Sequence, residues 1–287
     1  MTAELDARIR RYIASVGDLP SVPALASRVL KVVEDPAASA DDLRKVVEGD
    51  PAVAARILRT ANSSRYSFSR RIETLQHAIS LLGFRTVGNI VLAVALKDVF
   101  QHFGATEKLL WEHATAAGAV AARLSRNPGI GVGHEEAFTA GLLHDLGKIA
   151  FHNTSRQKYV EVFGRVYDEN ISFVEAERDA FGFDHAALGA EVAAKWKLPD
   201  LLVAAIRHHH SPEMLEKLEE RERRLTALVS VTTACCTRLG AGRRAPVEEL
   251  EVESLPAWAA LDLGDHDVET VLAQAAEEIE RSAGSFG

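Results

Sequence analysis

The apolar residues of this 287-residue chain recur at three- and four-residue spacing, and no stretch of useful length alternates with the period of two that a half-buried strand requires. That periodicity restricts the chain to packed helices. Hydrophobic residues make up 47% of it and aromatics only 6%, so small aliphatic side chains must fill the interior. Such a mix suits closely approaching helices and leaves few flat rings for stacking on bases.

Punctuation along the chain divides the helices. Residues 4–15 read as a leading helix, and Leu19-Pro20-Ser21-Val22-Pro23 holds the backbone extended because each proline disfavours helical geometry in its predecessor. Asp35-Pro36 stops the next helix. Ser39 is placed to cap the following one, with Asp42 three residues on as a shortened capping-box partner. Asp50-Pro51 opens another, since aspartate accepts from free N–H groups and proline at the first turn loses no hydrogen bond. Helices are predicted over 74–82 and 85–100, the second strongly apolar and central in its lobe. Beyond a boundary between about 100 and 108, helices are predicted over 110–124, 136–152, 159–170, 172–181, 185–196, from Pro199 to 208–210, 225–239 and 267–281. Lys217–Arg224 reads as a solvated helix face and Gly240–Arg244 as a linker.

Charge and segment character exclude several function classes. The net charge of −8, from 33 basic and 41 acidic side chains, disfavours an extended nucleic acid as partner, which needs a basic footprint. No segment has the ~20 uninterrupted apolar residues of a membrane span. The charged start MTAELDARIRRY lacks a signal peptide's apolar stretch, so a cytoplasmic location is expected. Cys235 and Cys236 are adjacent in an apolar helical setting and read as small buried hydrophobes.

The chemistry-bearing residues are histidines. His144-Asp145 joins an imidazole to a carboxylate, a pair able to hold a divalent ion. On a continuous helix the two differ by about 100° and Lys148 lies one turn beyond His144. His113, His185 and the run His208-His209-His210 have a plausible place around the same pocket. The run could equally end a helix, where imidazolium meets the carbonyl ends favourably. His102, His134, His152 and His266 read as surface residues and His77 as structural. Arg65, Arg70, Arg71 and Arg85 form a candidate anion patch, with a solvated corner as the simpler reading.

Several segments together resemble the HDOD domain, a bacterial signalling branch of the HD phosphohydrolase superfamily. They are Leu19–Pro23, Asp50–Leu58, Ala61–Ser63, Ala78–Gly83, Trp111-Glu112-His113, Gly141–Lys148, Phe183-Asp184-His185 and Ile206–Pro212. The resemblance covers about residues 13–240. It implies an all-α, two-lobed fold, with an N-terminal helical lobe over about 13–104 and an HD-like bundle over about 105–240. Residues 241–287 form a C-terminal helical extension, in which Val268, Val271, Leu272, Ala275 and Ile279 make an apolar stripe that caps the bundle or joins a homodimer.

The resemblance also implies a ligand set. In competent HD enzymes a first histidine, the His-Asp pair and a later aspartate hold the metal. The first three fall on His113, His144 and Asp145, while the last falls at Thr232-Thr233, where Thr233 cannot supply a carboxylate's charge. Its loss weakens both metal affinity and activation of water. The branch that hydrolyses cyclic di-GMP uses extra histidines, of which His185, His209 and His210 look like remnants. The glycine-tyrosine-proline signature of that branch is replaced by Ser211-Pro212-Glu213. The expectation is therefore a non-catalytic regulatory module acting through signalling-protein contacts, with no required cofactor and a degenerate site able to take Fe, Mn, Zn or Mg. The alternatives are a metal-dependent phosphohydrolase acting on a nucleotide, with Lys148 steadying phosphate, and a protein that binds a small nucleotide.

Overall fold

A computed structural model describes residues 3–17, 19–21, 23–35, 37–48, 51–62, 72–100, 104–263 and 267–283, and every regular element among them is helical. The first lobe contains α2 (Ala24–Glu34), α3 (Ala40–Glu48), α4 (Pro51–Ala61), α5 (Leu75–Leu82) and α6 (Phe84–Lys97). Its capping follows the sequence closely. Asp42 accepts from the Ser39 backbone N–H at 2.9 Å, and Ser39 Oγ accepts in return from the Asp42 N–H at 3.3 Å. Thr74 accepts from the His77 N–H at the start of α5. Gly83, at φ +85°, ends α5 and lets α6 begin at once, a backbone conformation that costs glycine nothing.

α6 serves two cores. Val87, Ile90, Val91 and Val94 pack with Val29, Leu43 and Ile57 of the first lobe. Leu92, Ala93, Leu96 and Val99 pack instead with the second-lobe core around Leu142, Phe151 and Ile206. A helix apolar on all sides must be covered on all sides, so the expected central helix of one lobe is the shared wall between two.

The second lobe comprises α7 (Ala105–Leu124), α8 (His134–Leu143), α9 (Leu146–Thr154), α10 (Arg156–Asp168), α11 (Phe173–Phe181), α12 (His185–Lys195), α13 (Asp200–His208) and α14 (Glu220–Arg238). The leading helix α1 (Ala3–Val16) also packs here. Its Tyr12 ring meets Phe151, Phe181 and Phe183 edge-on, and its hydroxyl lies 2.7 Å from Thr154 Oγ1. The extended segment that follows is pinned by Trp196 Nε1–H, which donates to the Pro20 carbonyl at 2.8 Å.

Three parts of the chain depart from expectation. The helix predicted over 136–152 is broken at His144-Asp145 into α8 and α9. The run Lys217–Arg224 is not one helix face: it spans the end of a 3₁₀ turn (Pro212–Lys217), an extended Leu218 and the first turn of α14. There Arg224 reaches the Gly129 carbonyl and Asp262. The supposed linker Gly240–Arg244 is a packed strap, treated below. After it come a 3₁₀ turn (Val252–Ser254), α15 (Pro256–Ala260) and α16 (Val268–Ser282), which the sequence reading caught only in part. The stripe on α16 buries Val271, Leu272 and Ala275 against Val120, Leu124 and Leu228, so this stripe lies on the chain's own bundle.

Candidate metal centre

Two pairs of glycines set the spacing of the helices that carry the site. Gly118 and Gly141 let α7 and α8 touch along their backbones: a Cβ on Gly141 would stand 2.5 Å from the Ala117 carbonyl oxygen. Gly147 and Gly189 do the same for α9 and α12. A Cβ on Gly147 would fall 1.9 Å from the His185 carbonyl oxygen. No side chain fits at that crossing, and the contact brings the first residue of α12 against the first turn of α9.

His144 itself accounts for the break between α8 and α9. Its Nδ1–H donates to the Gly141 carbonyl at 2.7 Å, the acceptor that a continuous helix would offer to the N–H of Asp145. Asp145 then takes φ −94° and ψ 16° and points its carboxylate inward. His209, at the end of α13, repeats the device with the Ile206 carbonyl at 2.8 Å. His113 reaches across the chain to the Ala241 carbonyl at 2.9 Å. In all three rings Nδ1 carries the proton, because a carbonyl can only accept. Each Nε2 is left with a lone pair facing the cluster. His144 Nε2 and His209 Nε2 are buried and have no hydrogen-bond partner.

Asp145 is the centre of the group. Its Oδ2 lies 3.6 Å from His113 Nε2, 3.4 Å from His144 Nε2 and 2.8 Å from Lys148 Nζ, and its Oδ1 lies 3.1 Å from His185 Nε2. His210 Nε2 is 3.1 Å from His185 Nε2. His113, His144 and Asp145 form one group able to hold a metal ion, and His185, His209 and His210 another. All six residues named from the sequence therefore come together. His208, on the same histidine run, is half-buried and belongs to neither group.

The electrostatics separate neutral ligands from charged ones. Burial lowers His113 to a pKa of about 3 despite the Asp145 carboxylate beside it. Burial likewise holds His144, His209 and His210 below the usual imidazole range. These rings are neutral and keep their lone pairs at ordinary pH. His185 goes the other way. Burial opposes its charge, but the Glu177 carboxylate on one side and Asp145 on the other raise it to about 9. For Asp145 burial favours the protonated form, and the His144 ring, the Lys148 ammonium and His185 outweigh it, so the carboxyl stays well below the usual range. Of these neighbours Lys148 and His185 carry the compensating charge, since His144 is neutral.

A second layer, invisible in the sequence, holds His185. Glu177 Oε2 accepts from its Nδ1–H at 2.6 Å and from its backbone N–H at 2.7 Å, while Glu177 Oε1 accepts from Tyr159 at 2.8 Å. A carboxylate behind a histidine fixes its orientation and raises its basicity as a ligand. The only local signal near Glu177 is the Ser172 cap on Glu175, which points elsewhere. The strap at 240–244 is the other unforeseen element. Gly242, at φ +63°, lies so close to α7 that a Cβ would be 2.3 Å from the His113 backbone nitrogen. Arg244 stacks over Tyr167 at 4.8 Å, holding the strap to α10.

Other assignments change. Lys148 is not simply stacked beneath His144: it pairs with Asp145 and lies over the Phe173 ring at 4.2 Å. His152, expected at the surface, is buried and lies 3.1 Å from Glu107, itself the buried N-terminal cap partner of α7. A histidine facing an acid buried on a helix remote in the chain leaves no periodic trace in sequence. His134 is half-buried, with Nδ1–H donated to the Ala122 carbonyl, and His77 is exposed. His102, His266, Arg65, Arg70 and Arg71 lie outside the described residues, as does the side chain of Arg85.

The donor set fits a divalent ion: buried imidazole nitrogens with lone pairs free, one ionised carboxylate and a carboxylate-backed histidine. Imidazole-rich sites suit Zn, Fe and other transition ions, whereas Mg favours oxygen ligands. Asp145 is the only carboxylate in either ligand group among the described residues. Thr232 and Thr233 are buried on α14, and neither hydroxyl has a hydrogen-bond partner.

Known proteins share this architecture. A family model for the HDOD domain matches residues 19–212. A crystallised HDOD domain protein of unknown function from Geobacter sulfurreducens superposes with a TM-score of 0.81 at 26% identity, over 97% of this chain and 96% of that one. A "Putative phosphohydrolase" from Shewanella amazonensis SB2B superposes at 0.74 with 20% identity, over 100% and 99% of the two chains. A "Putative signal transduction protein" from Marinobacter aquaeolei VT8 gives 0.69 at 23% identity, over 98% of this chain and 63% of the other. At those identities the last two establish likeness of fold alone. An uncharacterised protein of Treponema pallidum (strain Nichols) is 26% identical over 212 residues, which are 72% of this chain and 41% of the relative, so the match spans less than half of that relative's length.

Proposed function

Because this chain belongs to the HDOD domain family, we propose that it is a regulatory module of signal transduction, whose histidine-rich centre takes a transition-metal ion without hydrolysing a substrate. The observation that carries this reading is the single carboxylate, Asp145, among the candidate ligands. A hydrolytic metal must lower the pKa of a bound water and hold it toward a phosphoryl group. Here Thr233 stands where the resemblance calls for a second acidic ligand, and Asp145 already has Lys148 at 2.8 Å. His113, His144 and Asp145 would hold one ion, and His185, His209 and His210 form a second group able to take another. The first would supply Lewis acidity and tie α7 to the α8–α9 break, and the second would tie α12 to α13. In this reading the metal fastens the second lobe into the shape that a signalling partner recognises, and the partner biases that shape only through unequal affinity for two arrangements.

A second reading is a metal-dependent phosphohydrolase acting on a nucleotide. It is favoured by the completeness of the histidine set and by Lys148, which could steady a phosphate beside the ion. One experiment separates the two. Metal content would be measured in protein purified without chelator, alongside a His144→Ala/Asp145→Ala double variant, followed by phosphate release from a nucleotide panel with added manganese or iron. Near-stoichiometric metal in the parent, none in the variant and no phosphate release support the regulatory reading. Turnover in the parent that disappears in the variant replaces it with the hydrolase.

A further inference from the structure

The candidate ligands steered by a hydrogen bond at Nδ1 draw on different parts of the chain. His144 and His209 each bond a carbonyl three residues back, at the end of their own helix, and His185 is backed by Glu177, eight residues before it. His113 is backed by a remote segment instead. Its acceptor, the Ala241 carbonyl, lies 128 residues further along the chain, where the C-terminal extension begins.

The backbone at Ala241 is held on three sides. α14 closes in a Schellman turn: Gly240, at φ +77°, donates its N–H to the Thr237 carbonyl at 3.2 Å, and Ala241 donates to the Cys236 carbonyl at 2.9 Å. Gly242, again in the left-handed region, lies against α7, where a Cβ would also stand 2.4 Å from the Leu109 carbonyl oxygen and 2.6 Å from His113 Cβ. Any side chain at 242 must lift the strap. From α10, the Tyr167 ring faces two guanidinium groups, Arg244 at 4.8 Å and Arg243 at 5.6 Å, and its hydroxyl accepts from the Arg244 backbone N–H at 3.4 Å.

A neutral imidazole offers a lone pair at Nε2 only while its proton sits on Nδ1, and a carbonyl at Nδ1 keeps it there. We infer that the strap sets the metal centre from outside it: Ala241 holds the His113 ring in the tautomer and direction a ligand needs, and Gly242 and Tyr167 hold Ala241. Gly242 and Tyr167 are thus positioning residues, and the inference rests on the reading of His113 as a metal ligand. It makes the C-terminal extension a determinant of how tightly His113, His144 and Asp145 hold an ion, although no side chain of the extension belongs to that group.

Two measurements on the full chain test this: nitrogen-15 NMR of histidine-labelled, metal-free protein, with the His113 signals identified by their loss in His113→Gln, and titration with zinc. Gly242→Ala and Tyr167→Ala should each turn His113 from a single Nδ1–H tautomer into a mixture and weaken zinc about 10- to 100-fold, the range for a histidine ligand that loses its outer support. Tyr167→Phe, which keeps the ring, should behave as the parent. Tyr167 is only half-buried, so its variants guard against a folding failure at Gly242. Leu261→Ala, in the packed core of the extension but off the strap, should lower the melting temperature and leave both readouts as in the parent. His113 signals unchanged in both Gly242→Ala and Tyr167→Ala would overturn the inference even if zinc binds. So would an equal change in Leu261→Ala, which would reduce the strap to general packing. A parent that takes no zinc, but whose His113 signals change as expected, sinks the metal reading of the centre and leaves the strap's hold on His113 standing.

Discussion

Gly147→Ala adds one carbon at the tightest contact of the site. That Cβ would stand 1.9 Å from the His185 carbonyl oxygen and 2.7 Å from the Gly189 backbone nitrogen, whereas ordinary contact begins at 3.4 Å. Both neighbours are backbone, so no side-chain rotation relieves the clash, and α9 and α12 must part by roughly 1.5 Å. Overpacking of a close-packed core costs about 1–3 kcal/mol, and a rigid neighbour places this case at the upper end. A loss of about 3 kcal/mol in a domain of this size lowers the melting temperature by roughly 6–12 °C. The chemistry suffers as well. His185 is the first residue of α12, and a displaced ring no longer meets Asp145 Oδ1 at 3.1 Å, so metal affinity should drop about 10- to 100-fold, as when a histidine ligand loses its support. Differential scanning calorimetry and metal titration of the purified variant report the two effects separately. A melting temperature within about 2 °C of the parent at pH 7, together with unchanged metal affinity, would refute the reasoning and show that the helices yield at this crossing.

Two more predictions probe the surroundings of the site. Tyr159→Phe removes a donor to the buried Glu177 carboxylate and should cost about 1.5–3 kcal/mol in urea unfolding; a change below about 0.5 kcal/mol would mean the bond contributes nothing net. The buried Cys235 thiol is raised by burial to about 12, from an ordinary 9. Between those values the folded chain keeps a proton that the unfolded chain releases, so this thiol's contribution to stability falls as pH rises from about 9 to 12, at up to about 1.4 kcal/mol per pH unit. Native protein at pH 8 should accordingly leave both cysteines unmodified by a thiol reagent, while urea-unfolded protein reacts at two sites; rapid labelling of the native chain would contradict the burial of Cys235 and Cys236.

Local physics made much of this protein legible in one dimension. Three- and four-residue apolar spacing determined an all-helical chain. The side-chain cap at Ser39 and the proline at 51 placed helix starts, because each acts on backbone groups a few residues away. The six candidate ligands were named by residue type and by a specific resemblance. What remained hidden is what depends on contacts between distant segments. The break at His144-Asp145 follows from a ring bonding to the Gly141 carbonyl, which helical periodicity cannot anticipate. Glu177 serves His185, eight residues on, and Ala241 serves His113, more than a hundred residues back. His152 is buried because Glu107 comes to meet it from another helix. The shared wall formed by α6 exists only once both lobes pack. Sequence alone determined the helices and the chemistry they carry, since those are set by short-range sterics and residue type. Only the tertiary structure decided which lone pairs point inward and which charges are compensated, because those are properties of close packing between segments remote along the chain.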